Sequence, residues 1–334
     1  MELRAMLEIL GCVFVAAGLG LYLLLGPITR RVGGSRLAAL SGKERIEAES
    51  LIRQTLIHAA GGIFLAGTLA ASAIAAKQSF ETLEAQRDAQ VTDRYTKAVD
   101  QLGNKKKSVR AAAIFALGRI TEDSPRDRET IMMALSSFIR DGAKRPDAKT
   151  EAELQESDEP EADINAAIAV LGRRDDEGYA QRLKLEEVYL PNAKLYALHL
   201  PRTLFNRANL AGIRARGTDT NLRNVDFSQA ILVCADLRWA DISSSEPRGD
   251  ELSKRTNMRY ADLRGAKLSD TKLQGALMKG ANLDYAHLEG ADLSHAKDLE
   301  SEQLSRAFTD DKTKLPKGIK VEGRYKGPDY ECWS

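Results

Sequence analysis

Apolar and polar positions follow a succession of different periods along the chain, and each period predicts its own element. Residues 9–28 and 55–76 are apolar runs that contain no Lys, Arg, Asp or Glu. Each is close to the ~20 residues a helix needs to cross a hydrocarbon core. They predict a transmembrane helical hairpin within residues 1–77. From Gln78 the chain turns polar but keeps a helical period, with Val91, Tyr95, Ala98 and Leu102 on one face and a stop at Gly103. A second helix opens at Ser108, with Val109, Ala112, Ala113, Leu117 and Ile120 facing inward. A third starts at Ser124 and Pro125 and buries Ile131, Leu135 and Phe138. Residues 78–141 thus read as a stalk and a small α-helical module. Residues 142–163 are small, charged or proline and predict a flexible acidic linker. Residues 164–187 supply a capping helix and the entry to a repeat array.

Beyond residue 187 the period becomes five. Residues 256–295 read TNMRY, ADLRG, AKLSD, TKLQG, ALMKG, ANLDY, AHLEG, ADLSH; the third position is always Leu or Met and the first always Ala or Thr. Residues 220–244 repeat the pattern, and 188–219 follow it more loosely. Five fits neither a helix nor a strand, so it describes a superstructure. If each pentad forms one side of a square coil, its central residue and the small residue two before it point inward. The predicted core is Leu222, Phe227, Leu232, Leu237, Met258, Leu263, Leu268, Leu273, Met278, Leu283, Leu288 and Leu293. Leu198 and Ile213 stand where a small residue is expected, and Ala215 where a large one is. The frame slips by two residues at Thr220, and residues 243–255 read as a loop at one corner. Residues 299–334 read as a short capping helix and an extended tail.

This pattern (small, Asp or Asn, Leu or Phe, polar, Gly) resembles the pentapeptide-repeat family. The stretches RYTKAVDQLG and SVRAAAIFALGRITEDSPRD are similar to those of its membrane-anchored bacterial branch. The resemblance implies a right-handed quadrilateral β-helix over residues 188–298, about five coils and roughly 24 Å tall. The expected fold class is α+β, with two transmembrane helices, the helical module and the β-helix. VRAAAIFALGRI also resembles one helix of a HEAT-type repeat.

Charge narrows the role. The chain carries 49 Lys and Arg against 48 Asp and Glu, a net +1. That balance argues against general nucleic-acid binding. Within the array, from Glu186 to Asp298, 16 basic residues face 15 acidic ones. Some relatives in the resembled family mimic DNA and bind type II topoisomerases; a balanced surface makes a poor imitation of a line of phosphates. The loop between the apolar runs holds Arg30, Arg31, Arg36, Lys43, Arg45 and Arg53, which favours a cytoplasmic loop and an external domain. The three cysteines, Cys12, Cys234 and Cys332, have no disulfide or zinc spacing and read as isolated thiols. Those thiols, with the intracellular character of most such repeat proteins, argue for a cytoplasmic domain. The expected side is therefore the cytoplasmic one, at a bacterial inner membrane.

The sequence offers no catalytic constellation, cofactor motif or metal cluster: four scattered His, no GKS/T loop, no HExxH and no GxSxG. Lys105, Lys106 and Lys107 form a basic run at a turn, read as solvated. Small residues four apart, Cys12/Ala16/Gly20 and Gly62/Ala66/Ala70, offer self-association through the membrane helices. The expected partners are the lipid bilayer and an unidentified protein, and nucleic acid is not expected. The expected function is a membrane-anchored, non-catalytic interaction scaffold; the alternative is a DNA-mimic modulator of a type II topoisomerase.

Overall fold

The computed structural model describes residues 40–145, 160–173, 181–246, 254–321 and 324–332. The first apolar run, 9–28, and most of the acidic linker lie outside the described residues. In chain order the helices are α1 (Gly42–Leu102), α2 (Lys107–Asp123), α3 (Arg128–Gly142) and α4 (Ala162–Leu171), and a 3-10 turn spans Ser301–Leu304. The chain divides into two compact units at Asp88, and each is described by itself.

In the first unit, α1 takes in the second apolar run. It is the one helix among the described residues long and apolar enough to cross a membrane, by length and composition. Its Leu65, Leu69 and Ile74 are 60–71% exposed, and among the described residues none covers that apolar surface. The stalk expected from Gln78 is a continuation of this same helix.

The second unit starts with the end of α1, where Val91 and Ala98 are buried. In α2 the buried residues are Ala113, Ile114, Leu117, Gly118, Ile120 and Thr121. Ala112, expected inside, is exposed and Ile114 takes its place. In α3, Ile139 rather than Phe138 is fully buried. Both shifts rotate the packed face, because α4 lies across α2 and α3 instead of standing apart from them. Gly118 permits the close approach: a Cβ there would lie 2.9 Å from a Val170 methyl. Arg110 reaches from α2 to Asp163 of α4, with Nη2 2.6 Å and Nε 2.7 Å from Oδ2, and the Asp163 side chain is only 2% exposed.

The array is a stack of four-sided coils. Asn257 bridges Leu277 and Leu277 bridges Lys297, both in parallel, a step of 20 residues or four pentads. Four bridge columns run up the stack, one per side. The bridges stay isolated instead of growing into strands, because a turn follows every third pentad position. At most of these turns the next pentad's first N–H donates back to the central residue's carbonyl, as from Ala208 to Phe205 at 3.0 Å. The fifth residue has positive φ, near 60°, as in Arg207 and Trp239. With only that residue left-handed, the geometry is that of a type II turn. Between coils the main chain bonds in parallel: Leu222 N–H to Asp241 O at 2.7 Å, and Asp241 N–H to Thr220 O at 2.9 Å.

The step lengthens where the sequence breaks. It is 22 from His199 to Asn221, where Thr218 and Asp219 are extra, and 31 from Asp226 to Asn257, where residues 245–255 are extra. The inserted loop is therefore shorter than the 243–255 expected, since Ser244 is buried and still belongs to the coil. Arg255 re-enters the column fully buried, its Nη1 donating to Gly275 O at 2.7 Å.

Both ends of the array extend past the expected 188–298. Lys184 bridges Leu204, so the coil begins one side earlier, with Leu183 and Leu185 buried. At the other end His287 bridges Phe308 and Asp292 bridges Lys314. The expected capping helix is a 3-10 turn on one side of a coil that continues. The helical module closes the N-terminal end: Tyr189 N–H donates to Ala143 O, and Leu198 fills the space beside Gly172, where a Cβ would lie 2.4 Å from its methyl. Helices and coils share one hydrophobic cluster.

Candidate functional site: the outer faces of the array

The inward positions are taken up by the fold. The twelve predicted core residues from Leu222 to Leu293 are at most 1% exposed. So are the first-position residues Thr203, Thr220, Ala230, Ala266 and Thr271. Ile213 and Ala215 invert the usual sizes within one pentad, and both are fully buried; the larger first residue fills what the smaller central one leaves open. Within the array, the surface open to a partner is therefore built mainly from the second, fourth and fifth positions.

Many second-position Asp and Asn side chains are also structural. Their Oδ1 accepts the N–H two residues on: Asn209 from Ala211 at 3.1 Å, Asp226 from Ser228 at 2.9 Å, Asn282 from Asp284 at 3.0 Å and Asp292 from Ser294 at 3.0 Å. This is an Asx turn, and it explains the residue type at that position.

The side that bears Lys194, Arg214, Asp236 and Lys267 differs. These four stand one above another, bridged in that order. Neighbouring coils lie about 4.8 Å apart. The fourth positions beside them are Tyr196, Arg216, Arg238 and Ser269, and the next corner carries Trp239 and Asp270. Arg238 holds Asp236 with both prongs, Nε to Oδ1 and Nη2 to Oδ2 at 2.8 Å each, and Arg216 approaches to 3.7 Å. Burial pushes the Asp236 carboxyl up, but the Arg238 hydrogen bonds and charge, with Arg216, outweigh it and hold it below the usual range. The guanidiniums also lie over rings, Arg216 5.7 Å from the Tyr196 centroid and Arg238 5.3 Å from Trp239. Tyr196 is 38% and Trp239 43% exposed. Among the described residues Arg214 and Lys267 make no ion pair.

Further along the same side the C-terminal tail covers the coils. Tyr325 packs edge-on against Tyr285 and Phe308, with centroids 5.7 and 5.2 Å apart. His287 stacks on Phe308 at 4.6 Å and places its Nε2 3.0 Å from Asp329. Tyr330 lies against Gly265, where a Cβ would approach to 2.8 Å. The last described residue of the tail, Cys332, forms a disulfide with Cys234, with Cα atoms 5.7 Å apart. The expectation of isolated thiols is wrong for these two residues. They are 98 residues apart in sequence, and only the tail's return along the column brings them together.

Other sequence features do not converge on a site. Lys105, Lys106 and Lys107 are exposed at the turn, in keeping with a solvated basic run, and Lys107 pairs with Glu161 beside α4. His58, His199, His287 and His295 fall on separate elements. Among the described residues no group of three or more His, Cys, Asp or Glu could hold a metal ion. A pocket lined by Gly118, Thr121, Arg128, Met132, Val170 and Arg173 measures about 70 Å³, well below the ~300 Å³ at which small-molecule sites begin.

Four pentads to a coil, with a left-handed corner residue and paired inward positions, define the pentapeptide-repeat fold. Residues 218–246 and 255–297 match the family model described as pentapeptide repeats, in eight copies. The gap in that match falls on the inserted loop. No curated protein matches the chain. Among solved structures the chain is similar to HetL, a pentapeptide repeat protein involved in heterocyst differentiation regulation in the cyanobacterium Nostoc sp. strain PCC 7120. Identity is 24% over 41% of this chain and 56% of HetL, just over half that protein's length, with a TM-score of 0.26. Rfr23 of the cyanobacterium Cyanothece 51142 is 24% identical over 40% of this chain and 87% of its own, with a TM-score of 0.15. QnrB1, a plasmid-mediated fluoroquinolone resistance protein, is 17% identical over 38% of this chain and 83% of its own, with a TM-score of 0.13.

Proposed function

We propose that this protein is a membrane-anchored, non-catalytic scaffold that displays a right-handed pentapeptide-repeat column to a protein partner on the oxidising side of a bacterial inner membrane. The observation that carries this reading is how the array uses its residues. Its inward side chains fill the column and its Asx turns serve the backbone, while arginines and aromatic rings stand on an outer face. Rigid, polar outer faces with exposed aromatic and Arg groups suit protein recognition. The exposed apolar surface of α1 supports a bilayer around residues 55–76, and the run at 9–28 has, by sequence, the length and composition for a second crossing.

The side of the membrane differs from the one expected from the thiols. Disulfides persist in oxidising compartments and are rare in the cytosol. The Cys234–Cys332 bond removes the thiol argument for a cytoplasmic array, and the basic loop at 30–53 already favoured an external one. A phosphatase reporter fused after Ser334 is expected to be active, and a cytoplasm-dependent fluorescent reporter there dark. The opposite pair of results overturns the orientation.

The alternative, a DNA-mimic modulator of a type II topoisomerase, requires an acidic column. The face bearing Arg214, Arg216, Arg238 and Lys267 has the wrong sign for it. Full-length protein is expected to leave gyrase supercoiling unchanged, and inhibition or protection of gyrase would restore the alternative.

A further inference from the structure

We propose that the strip formed by Lys194, Arg214, Arg216, Arg238 and Lys267, with Tyr196 and Trp239, is the docking surface for an acidic, carboxylate-bearing segment of a partner protein. This rests on the scaffold reading and names the partner's chemistry.

Charge complementarity is the first ground. Between Lys194 and Lys267, on two adjacent outward columns, five cations enclose one acid, Asp236; the next acid on these columns, Glu289, stands one coil beyond Lys267, against His287 and Ser269. Asp219 and Asp270, close to the strip in sequence, sit in turns at the corners. Arg214 and Lys267 occupy the coils on either side of Asp236 and have no ion-pair partner among the described residues. Bringing like charges together on a rigid ladder is unfavourable unless something offsets it. One intrinsic carboxylate offsets it in the middle, and a ligand's carboxylates would do so above and below.

The second ground is the geometry that Asp236 already displays. Arg238 grips its carboxylate with two parallel hydrogen bonds at 2.8 Å, and Arg216 adds a third cation at 3.7 Å. Planar guanidiniums suit carboxylates in this forked manner. The same side chain types, repeated one coil away, present the same chemistry outward.

The third ground selects a protein over another polyanion. Tyr196 and Trp239 keep much of their ring surface exposed beneath or beside Arg216 and Arg238. Trp, Tyr and Arg are the residues most enriched where binding energy concentrates in protein interfaces. The described part of the C-terminal tail covers His287 and Phe308 and reaches the corner at Cys234.

The test uses the full chain in lipid nanodiscs and fluorescein-labelled poly-L-glutamate, read by anisotropy. The double variant Arg214→Glu/Lys267→Glu is expected to weaken binding about tenfold or more, and Trp239→Ala to weaken it as well. Lys279→Glu, an exposed cation on another side, is expected to leave it within about twofold. Circular dichroism checks that each variant keeps its fold. Equal weakening by Lys279→Glu, or none by the double variant, overturns the strip. A thymidine oligonucleotide that binds more tightly than polyglutamate overturns the protein partner in favour of nucleic acid. Photo-crosslinking in cells from positions 239, 231 and 279 separates the two levels of failure. Adducts from 231 or 279 with none from 239 overturn the strip and leave the scaffold reading standing, and no adduct from any of the three overturns both.

Discussion

At the residue scale, each pentad position answers to a separate physical demand. The first position is sealed inside the column, so its size is limited by the facing wall. Ala266→Leu is expected to destabilise by about 1–3 kcal/mol through overpacking, since Ala266 is fully buried. The fifth position has positive φ, and glycine is the residue that tolerates it without cost. Ala197 sits there with φ 52° and an exposed methyl. Ala197→Gly should leave the melting temperature unchanged or raise it, with a gain of up to about 1 kcal/mol; a clear fall would contradict the assignment. The second position carries pH dependence. Burial pushes the Asp292 carboxyl up, but the Ser294 hydroxyl, Lys314 and the Ser294 N–H outweigh it and hold it low, as Arg238 does for Asp236. A carboxyl lower in the folded than in the unfolded chain stabilises above the unfolded value, ~3.9, and that stability is lost as pH falls through the folded value. Melting should therefore be insensitive to these two groups from neutral pH down to about 5 and fall below about 4. Asp292→Asn should make that acid limb shallower.

At the scale of the element, the C-terminal tail contributes most that the repeat pattern does not announce. It is held by Tyr325 and Tyr330, by Asp329 on His287, and by the bond to Cys234. Cys332→Ser is expected to cost about 2–4 kcal/mol and to free residues 324–332, read as faster amide exchange in the tail with the upper coils still protected. Unchanged exchange there would show that the aromatic contacts alone hold it. The coil pattern was legible because period five has no competing explanation. The tail was not, because its contacts depend on which corner each aromatic and cysteine reaches after the coil has formed. The helix faces were half legible: the period located α2 and α3, but which residues are innermost depends on where α4 lies.

At the scale of the molecule, the helical module is the cap of the column and not a separate stalk domain. Leu198, Tyr189 and Ser136 tie the two together, and one hydrophobic cluster runs through both. Arg110→Ala leaves Asp163 buried without its cation, a loss of about 3–5 kcal/mol. If cap and column unfold together, this change in α2 should also lower the melting of the array, seen through Trp239 fluorescence. An array transition that stays in place while the helical signal melts earlier would show two independent units.

What the sequence determined alone was local and periodic. Five-residue spacing of Leu with Ala or Thr describes a coil of stacked sides, and the apolar run at 55–76 reads as helix with nothing polar to bury. What the tertiary structure decided was everything that depends on chain segments distant in sequence. It paired Cys234 with Cys332, laid α4 across α2 and α3, and set Lys194, Arg214, Asp236 and Lys267 in one column although 20 to 31 residues separate each from the next. Spacing along the chain encodes neighbours within a coil. Neighbours between coils also depend on every insertion in between, and only the folded column adds those up.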